Sequence, residues 1–111
     1  MSLTQGELVL ISYPFSDFEL SKVRPAIVIS NNNFNEISSD CLLVPLTTNL
    51  KDEAFTMLIN QQDLNNGKLI RSSKIKVGKI FAMNQESILL KLGKVKTDFF
   101  NKLKTEIIKI F

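Results

Sequence analysis

A chain of 111 residues that is 44% apolar and 23% charged has the length of one domain and the composition of a folded globular protein, which excludes a disordered or fibrous polymer. It has no histidine and one cysteine, Cys41, so imidazole bases, Ser-His-Asp and Cys-His nucleophiles, internal disulfides and multi-thiolate metal sites are excluded as well. The net charge of +3 is unevenly placed: residues 1–67 hold three cations against eight carboxylates, and residues 68–111 hold eleven cations against three.

A basic half of this kind attracts phosphates over long range, although a Lys-rich face taken alone is more often just a solvated surface. The Met-Ser-Leu start has no basic region followed by an apolar run, and no apolar stretch approaches the ~20 residues that cross a bilayer. The expectation is a cytoplasmic protein with no membrane partner and no metal or cofactor, forming a single domain over residues 1–111.

Leu8–Tyr13, Pro25–Ser30 and Cys41–Leu46 are short runs rich in Val, Ile and Leu, closed off by Pro, Ser, Asn or Asp, and they predict buried strands. Ala54–Ile59 predicts a fourth strand, and Lys74-Ile75-Lys76-Val77 alternates as a strand with one wet face does. Gly78 then interrupts the alternation before Lys79–Ala82, which suits a bulge or bend that curls a small sheet. Ile88–Val95 predicts a further strand, with Gly93 at a second change of phase. A C-terminal helix is predicted from Thr97 as N-cap, with Asp98 in the first turn. Phe100, Leu103, Ile107 and Ile110 form its inner stripe, and Phe99, Ile108 and Phe111 widen that stripe toward a partner surface. The predicted architecture is a mainly β, barrel-like domain with one terminal helix.

Between the first two strands, Pro14 to Pro25 form a connection longer than a hairpin needs, a candidate functional loop. It ends in Arg24-Pro25, where the proline pushes the arginine backbone to an extended conformation and presents the guanidinium from a stiff edge. A structural pairing of Arg24 with Asp17 or Glu19 is the competing use of that charge. Val44-Pro45-Leu46-Thr47-Thr48-Asn49 opens a buried strand into three hydrogen-bonding side chains, able to hold a phosphate or a base edge or simply to end the strand in a turn. Ser72-Ser73-Lys74 precedes another strand.

The order of these pieces, Ser12-Tyr13-Pro14-Phe15-Ser16-Asp17, then KVRPAIVIS, LLVPLTTN, SSKIKVGKIF and a closing KLGKV before the helix, resembles the MazF/PemK family of toxin ribonucleases from Gly6 to the chain's end. The resemblance implies an SH3-like small β-barrel with a C-terminal α-helix, shared with CcdB-like toxins. It also implies a homodimer, metal-independent and sequence-selective cleavage of single-stranded RNA, and silencing by a cognate antitoxin protein. By the family's motif Arg24 matches the catalytic arginine and Thr47 the catalytic threonine. Thr48 and Asn49 extend that polar edge, Ser73 matches a serine near the substrate groove, and Glu19 stands where a loop glutamate occurs in many members. Lys22 and Lys79 complete the candidate substrate-binding set.

Where many relatives carry Asp-Gln and then a basic residue, this chain has Gly78-Lys79-Ile80-Phe81, so an aspartate that could act as base or base-reader is missing. Metal-free cleavage needs attack by the 2′-hydroxyl, stabilisation of the phosphorane and protonation of the departing 5′-oxygen. Arg24 suits the charge step because its planar fork is permanently cationic, Thr47 suits orientation of the phosphate, and Glu19 or Asp17 is the nearby carboxylate for the 2′-proton. Two alternatives remain: a non-enzymatic, CcdB-like toxin that binds DNA gyrase, and a catalytically weak RNA-binding module.

Overall fold

The computed structural model describes residues 2–12 and 23–111. Strands β1 (Glu7–Ser12), β2 (Val23–Val28) and β3 (Asp40–Thr47) form the centre of one sheet, and a short helix α1 (Asn32–Ile37) links the last two. After β3 come β4 (Thr56–Ile59), β5 (Leu64–Gly67), β6 (Ser73–Lys76), β7 (Phe81–Asn84) and β8 (Leu90–Val95), then helix α2 (Thr97–Ile108). The strands lie in the order β4-β6-β3-β2-β1-β8-β5, with β7 also on β3, and every pairing is antiparallel. The result is the curled β-sheet with a terminal helix that the sequence predicts.

The central strands are continuous apolar runs because both faces of the sheet are covered. Leu8, Ile27, Val44 and Leu46 face one core together with Phe99 and Leu103 of α2. Their neighbours Val9, Ala26, Val28 and Leu43 face a second core with Leu3, Cys41 and Ile88. Strand β3 serves two partners along one edge: Asp40 to Leu43 pair with β7, while Leu46 and Thr47 pair with β6. The chain passes from β6 to β7 through a turn at Val77-Gly78, which is the bend expected at that glycine. The change of phase at Gly93 is a bulge, because Leu8 pairs with Gly93 and Val9 with Lys91.

Three expectations are corrected. Lys96, not Thr97, is the N-cap of α2, and it makes no side-chain cap bond; its backbone N–H instead donates to Asp63 O at 2.9 Å, so packing against the preceding strands sets the start of the helix. The fully inward positions are Phe99 and Leu103, with Phe100 and Ile107 packed at the margin. Ile110, placed in the inner stripe, is exposed, as are Ile108 and Phe111, because the core beneath α2 ends at Ile107. Finally, β5 and α1 were not anticipated. Strand β5 is Leu-Asn-Asn-Gly, without alternation, and it is held by pairing with β8. Helix α1 is capped by Asn31, whose side chain accepts from Phe34 N at 2.8 Å.

Candidate active site

Arg24 is the second residue of β2, opposite Ile11 of β1. Ala26 pairs with Pro45 and Ile27 with Val44, and continuing that register by two residues brings Arg24 level with Thr47 at the end of β3. On the other edge of β3, Thr47 pairs with Lys74 of β6. The two polar groups singled out from separate segments therefore meet where three strands converge. They line a cleft of about 330 Å³, together with Thr48 and Ser73. Its apolar walls include Val23, Pro25 and Leu46. A smaller recess of about 80 Å³ adjoins it, lined among the described residues by Arg24, Pro45, Leu46, Thr47 and Lys76.

Local hydrogen bonds hold this edge in shape. Thr47 Oγ1 accepts from Asn49 N at 3.2 Å, and Asn49 Oδ1 accepts from Lys51 N at 3.0 Å, two successive side-chain turns that steer the chain away from β3. A threonine hydroxyl has one proton and two lone pairs, so while it accepts from Asn49 the Thr47 O–H can still donate to a ligand. Ser73 is 2% exposed and donates to Arg71 O at 3.1 Å, which leaves its oxygen as an acceptor. Arg24 is half-buried, with its Nε shielded from solvent, so its charge acts in a medium less screened than water. Lys74 Nζ donates to Lys51 O at 3.3 Å. The arrangement presents cations and hydroxyls to one small space, which suits a tetrahedral anion.

Among the candidates, Arg24, Thr47, Thr48 and Ser73 are brought together. Glu19, Lys22 and Asp17 lie outside the described residues. Asn49 and Lys79 are exposed, the first just beyond β3 and the second after the Val77-Gly78 turn, and neither is among the described residues lining the cleft. Lys76 was not singled out from sequence, although its place on the wet side of the Lys74–Val77 alternation was a usable signal. Cys41 is fully buried and burial, helped by Asp40, pushes its pKa from 9.0 up to about 11, so its thiol is no nucleophile. Among the described residues no group of three or more Cys, Asp or Glu could hold a metal ion, and no helix is long and apolar enough to cross a membrane. Beside the cleft opens an apolar hollow of about 310 Å³, lined by residues that include Leu10, Val23, Leu69, Ile70 and Leu92.

The chain matches the sequence model of one family, described as the PemK-like, MazF-like toxin of type II toxin-antitoxin system, over residues 4–111. A comparison with curated proteins finds no match. Among solved structures, MazE-MazF from Deinococcus radiodurans aligns with a TM-score of 0.79 at 15% identity, covering 99% of this chain and 96% of that one. An endoribonuclease in complex with its cognate antitoxin from a Mycobacterial species aligns with a TM-score of 0.75 at 18% identity, covering 97% and 91%. The Mycobacterium tuberculosis toxin MazF-mt6 aligns with a TM-score of 0.73 at 13% identity, covering 93% of each chain. At such identities the likeness is one of fold.

Proposed function

The chain belongs to the PemK-like, MazF-like toxins of type II toxin–antitoxin systems, and from that premise we propose that it is an endoribonuclease that cuts single-stranded RNA without a metal and so arrests translation and growth. The observation that carries this reading is the placement of Arg24 and Thr47 on one cleft. The fold it shares with an endoribonuclease seen with its cognate antitoxin supports both the activity and a protein antitoxin as the partner that silences it. An RNA substrate supports the cytoplasm as its place of action.

In the proposed reaction the 2′-oxygen attacks the adjacent phosphorus, the bond to the 5′-oxygen breaks, and a 2′,3′-cyclic phosphate is left. Arg24 stabilises the charge that builds on the phosphorane, where an ion pair is worth more than in bulk water. Thr47 donates to a non-bridging oxygen, Ser73 and Thr48 bound the phosphate, and Lys76 neutralises the neighbouring one. The 2′-proton goes to a carboxylate of the connection between β1 and β2, Glu19 being the assigned base, and the departing 5′-oxygen takes a proton from water and leaves as the 5′-hydroxyl; Gly78 offers no carboxylate. A homodimer is part of the same proposal, supported by Val23 and Ile70, which are 52% and 86% exposed beside the cleft.

The test is incubation of the purified protein with a defined single-stranded RNA in EDTA, followed by mapping of cut positions and end groups. Cleavage leaving 2′,3′-cyclic phosphate ends is expected. Intact RNA, or cleavage abolished by the chelator, overturns the proposal.

A further inference from the structure

We infer that Phe55 is a base-stacking platform that extends the RNA site from the cleft across β6 and β4, an inference that rests on the RNA-cleaving reading above. Phe55 has φ +57° and is the one residue other than glycine with positive φ among the described residues. For a bulky L-residue this region is a strained outlier, and such strain concentrates at functional sites. Burial does little to offset it, since Phe55 is 63% exposed.

The register shows what the strain does. Thr56 pairs with Lys76, and Ile59 with Ser73, so the next position back, Phe55, lies opposite Val77, whose N–H donates to Phe55 O at 3.0 Å. Directly opposed residues share a face of the sheet, and Val77 is 1% exposed in the core. A regular strand would therefore have sent the Phe55 ring inward beside Val77. The left-handed backbone turns it out into solvent instead, and its backbone stays pinned by the bond from Val77. The nearest Phe55 atom to an added side chain at Gly78 would be Cβ, at 3.9 Å, so the turn beside the ring is low and open.

The ring's surroundings fit a single strand of nucleic acid. One strand over and one residue along, about 6 Å away in backbone terms, stands Lys76, which shares the recess with Arg24 and Thr47. Lys79 follows in the adjoining turn. An aromatic face beside a track of cations, leading from a phosphate-sized cleft, is the combination by which single strands are held without base-edge hydrogen bonds. Asp52 and Glu53 precede Phe55 on its N-terminal side, and from Phe55 through β4, β6 and the turn to Lys79 the one carboxylate is Asp63, beyond the far end of β4.

The experiment measures equilibrium binding of a 2′-O-methyl oligonucleotide, which cannot be cut, to the full chain and to Phe55→Ala, Phe55→Trp and Phe55→Gly. Losing one stack should weaken binding about five- to a hundredfold in Phe55→Ala, with Phe55→Trp binding at least as tightly as the parent. Phe55→Gly should bind as weakly as Phe55→Ala while melting no lower than the parent, because glycine relieves the backbone strain. A single abasic nucleotide in the oligonucleotide should weaken the parent by the same factor and Phe55→Ala by nothing further. Should the parent bind and cut RNA while all three variants bind equally, or should binding and melting temperature fall together in Phe55→Gly, the stacking role is overturned and the nuclease reading stands. Should the parent neither bind nor cut RNA, both fall.

Discussion

Arg24 and Thr47 stand level with one another because the β2–β3 ladder, if continued past Ala26 and Pro45, pairs them, and both line the same cleft. Replacing Arg24 by alanine removes the one cation of β2 from that space. Cutting of a defined RNA by Arg24→Ala should fall about 10²–10³-fold or more, the usual effect of deleting a donor to a developing anion. Its circular dichroism should match the parent's, since Arg24 belongs to neither core. Undiminished cutting by a pure sample would remove Arg24 from the mechanism.

Thr47 tests the hydroxyl separately from the shape. Thr47→Val preserves the branched side chain but deletes both the O–H and the acceptor for Asn49 N. Thr47→Ser retains both, so turnover should drop at least tenfold in the valine variant and stay within a few-fold of the parent in the serine variant. A larger loss in the serine variant than in the valine variant would mean that the methyl group, not the hydroxyl, is what the site uses.

Binding of uncut RNA should weaken steeply with salt. Each phosphate neutralised by a cation such as Arg24 or Lys76 releases counterions, with a slope of about −0.7 per contact for a single strand. Titrations at several salt concentrations give that slope directly. A flat plot would contradict recognition through the basic side of the sheet.

Gly67 and Gly93 pair across β5 and β8 at a separation no side chain tolerates. A Cβ on Gly67 would lie 2.1 Å from Leu92 O and 2.3 Å from Gly93 Cα, and Gly67 also holds φ +89°. Gly67→Ala should therefore cost about 1–3 kcal/mol through strain and displacement, lowering the melting temperature by several degrees. Calorimetry settles it; an unchanged melting point would mean that β5 pairs differently.

Cys41 should resist thiol reagents in the native protein and react readily in denaturant, because burial holds it protonated. The sign for stability follows: a pKa raised from 9.0 to about 11 by folding means that the native state binds this proton more tightly. Its contribution is complete below pH 9 and is lost as the pH rises toward 11. Chemical denaturation of the parent and of Cys41→Ala across that interval should show the pH dependence shrinking in the variant.

Much of the site was legible in single segments because it rests on local chemistry. The proline after Arg24 stiffens its backbone whatever the rest of the chain does, and Thr47-Thr48-Asn49 supplies hydroxyls and turns at the end of an apolar run. The strands of the two central cores were visible as Val, Ile and Leu runs for the same reason. Tertiary structure alone decided what lies opposite what. β5 has no periodicity of its own and exists because Gly67 can approach Gly93. The N-cap of α2 is Lys96 because its backbone N–H donates to Asp63 of the preceding structure, and the helix's buried face was set by where the sheet ends. Lys76 joins Arg24 only through the β3–β6 ladder. The outward turn of Phe55 follows from one positive φ that no propensity of phenylalanine favours. Composition and neighbouring residues determine which segments are apolar, stiff or reactive; long-range pairing determines which of them share a cavity, since register is a property of two strands and not of either one.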